Sequence, residues 1–279
     1  MKINSLIVDS GCDITPDLID HESCSLSYIP LNLQLDEKIY LDDESLDIEK
    51  YLVEMERSAS VKTSAPSPSL FFERFKAGDN VFVVTLSSKL SATYQSAMTA
   101  KRMYIEEYGQ KFVHIFDSLS ASVGQGVIAM KISELIKRGT SSLDIVDQVD
   151  HFIKDMRTFF ILDKYDNLVK SGRVKPYIAK LASLLNVKPI CSAFEGEIKM
   201  SDKARGYNKA MTRLVELIKE TTHDLEDRVV AISHCKCYEK AVALKDEVLK
   251  QLKVKDVLIQ ECRGVVATYA NRGGVVLAL

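Results

Sequence analysis

Three apolar runs, each closed by serine, constrain this chain more than any other feature. They are "INSLIVDS" from Ile3, "VFVVTLSS" from Val81 and "KFVHIFDS" from Lys111. Each is rich in β-branched or aromatic residues, long enough for a strand and too short for a helix. Helical patterns follow the last two: "YQSAMTAKRMYIEEYG", and "SLSASVGQGVIAMKISELIKRG", which ends at Gly139. Strand, helix, strand, helix at this spacing predicts parallel pairing. Open parallel sheets bind ligands at the carboxyl ends of their strands. Asp9-Ser10, Ser87-Ser88 and Asp117-Ser118 are therefore expected along one sheet edge.

Between these runs, "YIPLNLQLDEKIYLDD" predicts a hairpin about Asp36-Glu37, and "DIEKYLVEMERSA" predicts a helix. In "KTSAPSPSLFFERFKAG", prolines and hydroxyls predict a turn before a helix ending at Gly78. The pattern changes near residue 157. "TFFILDKYDNLVKSGRVKP" reads as a strand, a short helix and a basic turn. "NVKPICSAFEGEIKMSDKARG" reads as two strands joined at Glu195-Gly196. A helix from Tyr207, a strand to Ser233, a helix from Tyr238 and a strand from Val257 follow, and the tail "VVATYANRGGVVLAL" reads as extended. The expected fold class is α/β in two domains. Residues 1–156 form a parallel-sheet domain with helices on both faces, and residues 157–279 a smaller α+β domain.

The stretch from Leu86 to Met98, "LSSKLSATYQSAM", carries hydroxyls at Ser87, Ser88, Ser91, Thr93, Tyr94 and Ser96. A strand that ends at a helix start is a natural anion site, because free N–H groups and hydroxyls converge there. One helix cap needs only one hydroxyl, so an anion site is placed ahead of capping. Glycine is scarce, 12 residues in 279, where about 7% is usual; this weighs against a glycine-rich nucleotide loop. Thr63 and Ser64 precede a proline-fixed turn and form a second hydroxyl pair. "HCKC" (His234, Cys235, Cys237) lacks the second close pair of a structural zinc site, and no metal is expected. There is no nucleophile elbow of the GxSxG type and no HExxH motif. A net charge of −2 leaves no footprint for nucleic acid. The apolar start breaks at Asp9, too early for a signal peptide, and no run reaches the ~18 residues of a membrane span. A cytoplasmic location with reduced cysteines is expected.

Taken in order, the segments "IVDSGCDITPDLI", "KTSAPSP", "LSSKLSATYQSA", "FDSLSASVGQG", "LVKSGRV" and "KARG" resemble landmarks of the DegV family, bacterial fatty-acid-binding proteins. The likeness runs nearly end to end. It implies a DegV-like fold with one long-chain fatty acid in an apolar tunnel between two domains. Its carboxylate would be held by hydroxyls, here Thr63 and Ser91 with Ser64 and Ser88 nearby, and no cofactor would be needed. The resemblance also implies a non-catalytic carrier that presents the acid to an ATP-dependent fatty acid kinase for phospholipid synthesis. Arg173 and Arg205 would serve kinase docking.

Two positions depart from the family pattern. Ala92 stands where the family has Gly between Ser and Thr. Tyr269 stands where the family has a His that helps hold the carboxylate; a phenol can donate a hydrogen bond but is normally uncharged near neutral pH. Arg272, in place of a family Pro, could supply charge instead. Two other functions compete: a Ser-dependent acyl hydrolase or transferase using Ser91, and a regulator that binds another small anion.

Overall fold

The computed structural model describes residues 3–279. In chain order, the first half contains β1 (Asn4–Asp9), β2 (Cys24–Ile29), β3 (Asn32–Leu35), β4 (Lys38–Leu41), α1 (Ile48–Arg57), β5 (Val61–Ser64), α2 (Pro68–Phe75), β6 (Asn80–Thr85), α3 (Thr93–Tyr108), β7 (Phe112–Asp117), α4 (Val123–Lys137) and α5 (Ser142–Asp155). The second half contains β8 (Thr158–Ile161), α6 (Asp166–Lys170), α7 (Pro176–Ala182), β9 (Val187–Phe194), β10 (Glu197–Arg205), α8 (Tyr207–Thr221), β11 (Val229–His234), α9 (Tyr238–Gln251), β12 (Asp256–Glu261), α10 (Gly264–Ala270) and β13 (Val275–Ala278).

The three apolar runs that open the sequence argument lie side by side as parallel strands, in a four-stranded sheet of order β2-β1-β6-β7. β6 is buried along its whole length, as expected of a parallel strand covered on both faces. Its alternate residues serve different layers. Val81 and Val83 pack with Ile7, Val113 and Ile115 against Phe71, Phe75 and Ala100 of α2 and α3. Phe82 and Val84 join Leu6, Val8 and Phe116 in the core on the other side, with Ile128 and Ile132 of α4. Helices thus cover both faces, as the sequence predicts.

A second, six-stranded sheet has the order β10-β9-β8-β13-β11-β12, antiparallel except for β11 beside β12. α8 and α9 pack on one of its faces. α4 touches β11 and β13 of this sheet as well as β1 and β6 of the first. A helix shared by two sheets must be apolar nearly all round, and Val127, Ile128, Ala129, Ile132, Leu135 and Ile136 of α4 are all buried. A small antiparallel sheet, β4-β3-β5, lies beside α10 and completes the fold.

The sequence patterns did not anticipate β2, α5 or α7. The tail expectation is corrected. Residues 264–270 are helical, and only 275–278 are extended. The β-branched pair Val265-Val266 imitates a strand. Asp42, more than two hundred residues away, makes it a helix by accepting from the backbone N–H of Gly264 at 2.8 Å and of Val265 at 2.7 Å.

Candidate functional site

The loops at the carboxyl edge of the four-stranded sheet are tied to one another. Asp9 accepts from Leu86 N at 2.6 Å, and Asp117 accepts from Ser88 N at 3.0 Å. Ser10 Oγ accepts from Leu31 N at 3.0 Å. Asp9 is buried and also accepts from Gly11 N and Gln125 Nε2. Desolvation outweighs these hydrogen bonds and pushes its carboxyl up to about 6. Asp13, held by Arg263 N, Ser122 Oγ and Ser233 Oγ, is likewise pushed up by burial to about 6. Asp9 ties the loops of the first sheet to α4, and Asp13 ties the start of α4 to β11 of the second sheet and to the segment before α10.

Between that edge and the face of the six-stranded sheet lies a cavity with about 800 Å³ of space between atoms, including its opening to solvent. Its walls are mainly aliphatic: Leu86 and Leu90 from the loop after β6, Phe160 and Leu162 from β8 and just beyond it, Ile198 from β10, Val265 and Val266 from α10, and Val276 from β13. Ser120, Ser122 and Thr158 also line it. Their hydroxyls are already engaged: Ser120 with Thr158 at 2.8 Å, and Ser122 donating to Asp13 at 2.6 Å.

One group of polar side chains in the lining is linked in a row. Thr63 Oγ1 and Tyr269 Oη are 2.7 Å apart. Arg173 donates from Nη1 to Tyr269 Oη at 2.9 Å and from Nε to the Leu90 carbonyl at 2.8 Å. Its guanidinium carbon lies 4.8 Å from the centre of the Tyr269 ring, within cation–π range. Ser91 lines the same cavity, with its Oγ 2.8 Å from Thr93 Oγ1. Thr63 is carried by β5, Tyr269 by α10, Arg173 by the turn after α6, and Ser91 by the β6–α3 junction.

The remaining residues singled out from sequence lie elsewhere. Ser64 is exposed on β5, where its Oγ accepts from Asn32 Nδ2. Thr63 and Ser64 are held by strand pairing with β3, not by a turn. Ser88 is exposed and bound through its backbone to Asp117. Ala92 is exposed with φ −75°, a backbone that any residue can adopt. Arg205 is exposed at the end of β10, away from the lining. Arg272 does not bring its charge to the cavity; it is ion-paired with Glu49 at 2.7 Å and Glu56 at 3.6 Å. Ser87, counted among the anion-site hydroxyls, is buried and donates to the Gly196 carbonyl of the β9–β10 turn at 2.7 Å. It joins the two halves of the molecule. Sequence reasoning missed the turn of Arg173 into the cavity and the hydroxyls of Ser120, Ser122 and Thr158. The only signal for Ser120 and Ser122 was the serine-rich turn after the third apolar run, and nothing in the sequence singled out Thr158 at the start of β8. Among the described residues, no group of three or more His, Cys, Asp or Glu side chains is placed to hold a metal ion. No helix among them is long and apolar enough to cross a membrane.

Comparison with known proteins gives a consistent result. Residues 4–279 match the family model described as "Uncharacterised protein, DegV family". A DegV domain-containing protein of Streptococcus pyogenes serotype M1 is 33% identical over 98% of this chain and 97% of its own length. A DegV-family crystal structure from Ruminococcus gnavus, refined with vaccenic acid, is 35% identical with a TM-score of 0.94, covering 99% of both chains. The Streptococcus pneumoniae fatty acid kinase B3 protein, solved loaded with linoleic acid, is 27% identical with a TM-score of 0.91, over 99% of this chain and 98% of its own.

Proposed function

The chain belongs to the DegV family, and on that premise we propose that it binds a single long-chain fatty acid. The acyl tail occupies the aliphatic cavity, and the carboxylate is held by the hydroxyls of Thr63, Ser91 and Tyr269. One observation carries this reading: a cavity walled by aliphatic side chains and bearing a linked row of hydrogen-bond donors, in a chain that superimposes end to end on a structure holding vaccenic acid. Burying an acyl tail contributes about 0.8 kcal/mol per CH₂ before ordering costs. The tail therefore supplies most of the affinity, and the polar group sets its direction. Ser64, Ser88 and Ala92 shape the neighbouring backbone and do not touch the ligand.

The role we infer is that of a carrier without catalysis of its own, working in the cytoplasm and delivering the acid to an ATP-dependent fatty acid kinase that feeds phospholipid synthesis. The likeness to a protein named as part of a fatty acid kinase supports this. So does the partner of Ser91, the Thr93 hydroxyl and not a base; an acyl hydrolase or transferase needs a base within hydrogen-bond reach of its nucleophile. In this reading residues 1–156 and 157–279 act as two lobes, and Arg205, exposed at a strand end, is open to a docking partner.

Native mass spectrometry of the purified protein, before and after solvent extraction, tests the proposal. A mass increment equal to one fatty acid is expected, and Thr63→Ala or Ser91→Ala should weaken its retention roughly tenfold, as loss of one hydrogen bond to a charged group implies. Protein that carries no lipid and takes none up would sink the reading.

A further inference from the structure

Ser120 and Thr158 are out of keeping with the cavity they line. Both are buried, and the adjoining lining residues, Ala121 and Phe160, are apolar. Valine has the shape of threonine and no polar group to bury, so a hydroxyl in an aliphatic wall is unfavourable unless its hydrogen bonds are made. The place of the pair is built in. Ser120 is fixed by its carbonyl, which accepts from Ser87 N at 2.9 Å and from Ser118 Oγ at 3.0 Å. Gly124 of α4 leaves the room, since a Cβ there would overlap Ser120 Oγ and lie 3.0 Å from Thr158 Oγ1.

One bond between the two hydroxyls does not use both of their protons. Ser120 Oγ and Thr158 Oγ1 are 2.8 Å apart, and one of them donates. If Ser120 is the donor, the Thr158 proton meets no other acceptor among the described residues. If Thr158 is the donor, Ser120 is left with the Ala121 carbonyl at 3.4 Å, beyond the roughly 2.5–3.0 Å of an O–H···O bond. That carbonyl already accepts from Gly124 N at 3.0 Å. In either arrangement the wall keeps one poorly used proton and free lone pairs. Their place along the cavity follows from β8. Thr158, Phe160 and Leu162 alternate along the chain and line the cavity together. Leu162 stands beside Ala270, the neighbour of Tyr269: a Cβ on Gly274 would meet both, at 2.8 Å and 3.0 Å. Thr158 lies four residues back along the chain, about 13 Å at the rise of a strand. An extended acyl chain advances about 1.3 Å per carbon, the projection of one carbon–carbon bond. The hydroxyl pair is therefore about ten carbons from the end where Tyr269 stands.

We propose that Ser120 and Thr158 form a second polar subsite of the cavity, for a fatty acid that carries a hydroxyl near the middle of its chain. The ligand hydroxyl accepts the proton that the pair does not use and donates to one of its free lone pairs. This rests on the fatty-acid reading above and adds to it the class of acid: oxygenated at mid-chain, and not merely long.

The test is competition binding of octadecanoic acid and of the same acid hydroxylated at carbon six, ten or twelve, measured on wild type, Thr158→Val and Ser120→Ala. A hydroxyl buried without a partner weakens binding roughly 5- to 100-fold, and the carbon-six acid should show that penalty. Wild type should bind the carbon-ten or the carbon-twelve acid within about threefold of the unsubstituted one, because its hydroxyl is paired. In each variant the ratio of mid-chain hydroxy acid to unsubstituted acid affinity should fall roughly tenfold. Reading the ratio cancels any general effect of the substitution on folding or cavity shape. If wild type penalises all three hydroxyl positions alike, the pair is only structural and the proposal is wrong. It is equally wrong if Thr158→Val leaves the ratio as it is in wild type. Protein that binds octadecanoic acid but fails either comparison overturns this proposal alone, whereas protein that binds none of the acids overturns the underlying fatty-acid reading as well.

Discussion

At the scale of single residues, the buried carboxylates make a prediction separate from ligand binding. Asp13 is pushed up to about 6 from an ordinary value of 3.8, chiefly by desolvation. A carboxyl with a raised folded-state pKa adds stability that is fully present below its unfolded pKa. That stability is lost as pH rises through the folded value. Asp13→Asn should be well accepted, because the hydroxyls of Ser122 and Ser233 can rotate to accept from the new amide while Arg263 N still finds an oxygen. The stability of wild type minus that of Asp13→Asn should therefore fall between about pH 4 and pH 7, by on the order of 3 kcal/mol for a shift of about two pKa units. Urea denaturation at several pH values measures it, and a difference that stays flat would contradict the assignment. Asp9 is a poorer subject. Both its oxygens accept N–H donors, including two backbone groups that cannot turn away.

At the scale of elements, α10 matters most, because it carries Tyr269 to the cavity. It is short and holds itself poorly; its contacts hold it instead. Asp42 takes up its first amides, Tyr51 Oη lies 2.7 Å from Thr268 Oγ1, and Asn167 Nδ2 donates to the Thr268 carbonyl at 2.8 Å. Gly264 allows the close approach, since a Cβ there would lie 2.5 Å from Asp42 Oδ1 and 2.5 Å from Leu46 Cδ2. Asp42→Ala should lower stability by about 2–3 kcal/mol, the cost of a lost cap with buried amides left unpaired. It should also weaken fatty acid binding although Asp42 touches no ligand. Denaturation and binding measured on the same variant decide this. Unchanged affinity would mean that α10 keeps its place without the cap. The same element shows where sequence reading stops. Val265-Val266 reads as a strand from its own propensity, and nothing local announces Asp42.

At the scale of the whole molecule, α4 makes the two sheets one structure. A single core runs from Leu6 and Val84 of the first sheet through Ile128 and Ile132 to Phe160 and Val276 of the second. Ser87 and Asp13 add polar ties between the halves. We expect one cooperative unfolding transition, in which Ile128→Ala destabilises the whole by about 2–5 kcal/mol. Calorimetry together with far-ultraviolet circular dichroism tests it; two separable transitions would show that the lobes unfold alone. The chain has no tryptophan, so a tryptophan placed in either lobe would report on that lobe alone. A bound fatty acid should raise stability by about 2.7 kcal/mol at a free concentration a hundredfold above Kd.

Most of the secondary structure could be read in advance, because apolar periodicity and turn residues act over a few positions. The three serine-closed runs told of a parallel sheet and of the loops gathered along one of its edges, the Glu195-Gly196 turn told of a hairpin, and the order of short segments told of the family. The membership of the site could not be read that way. Serines adjacent in "LSSKLSAT" have different neighbours: Ser87 binds the β9–β10 turn, Ser88 faces solvent, and Ser91 faces the cavity. Arg173, which the family resemblance assigned to kinase docking, meets Tyr269 ninety-six positions on. A hydroxyl or a guanidinium has the same chemistry wherever it stands in a sequence. Which one meets a ligand depends on how distant segments converge in packing, and only the tertiary structure decides that.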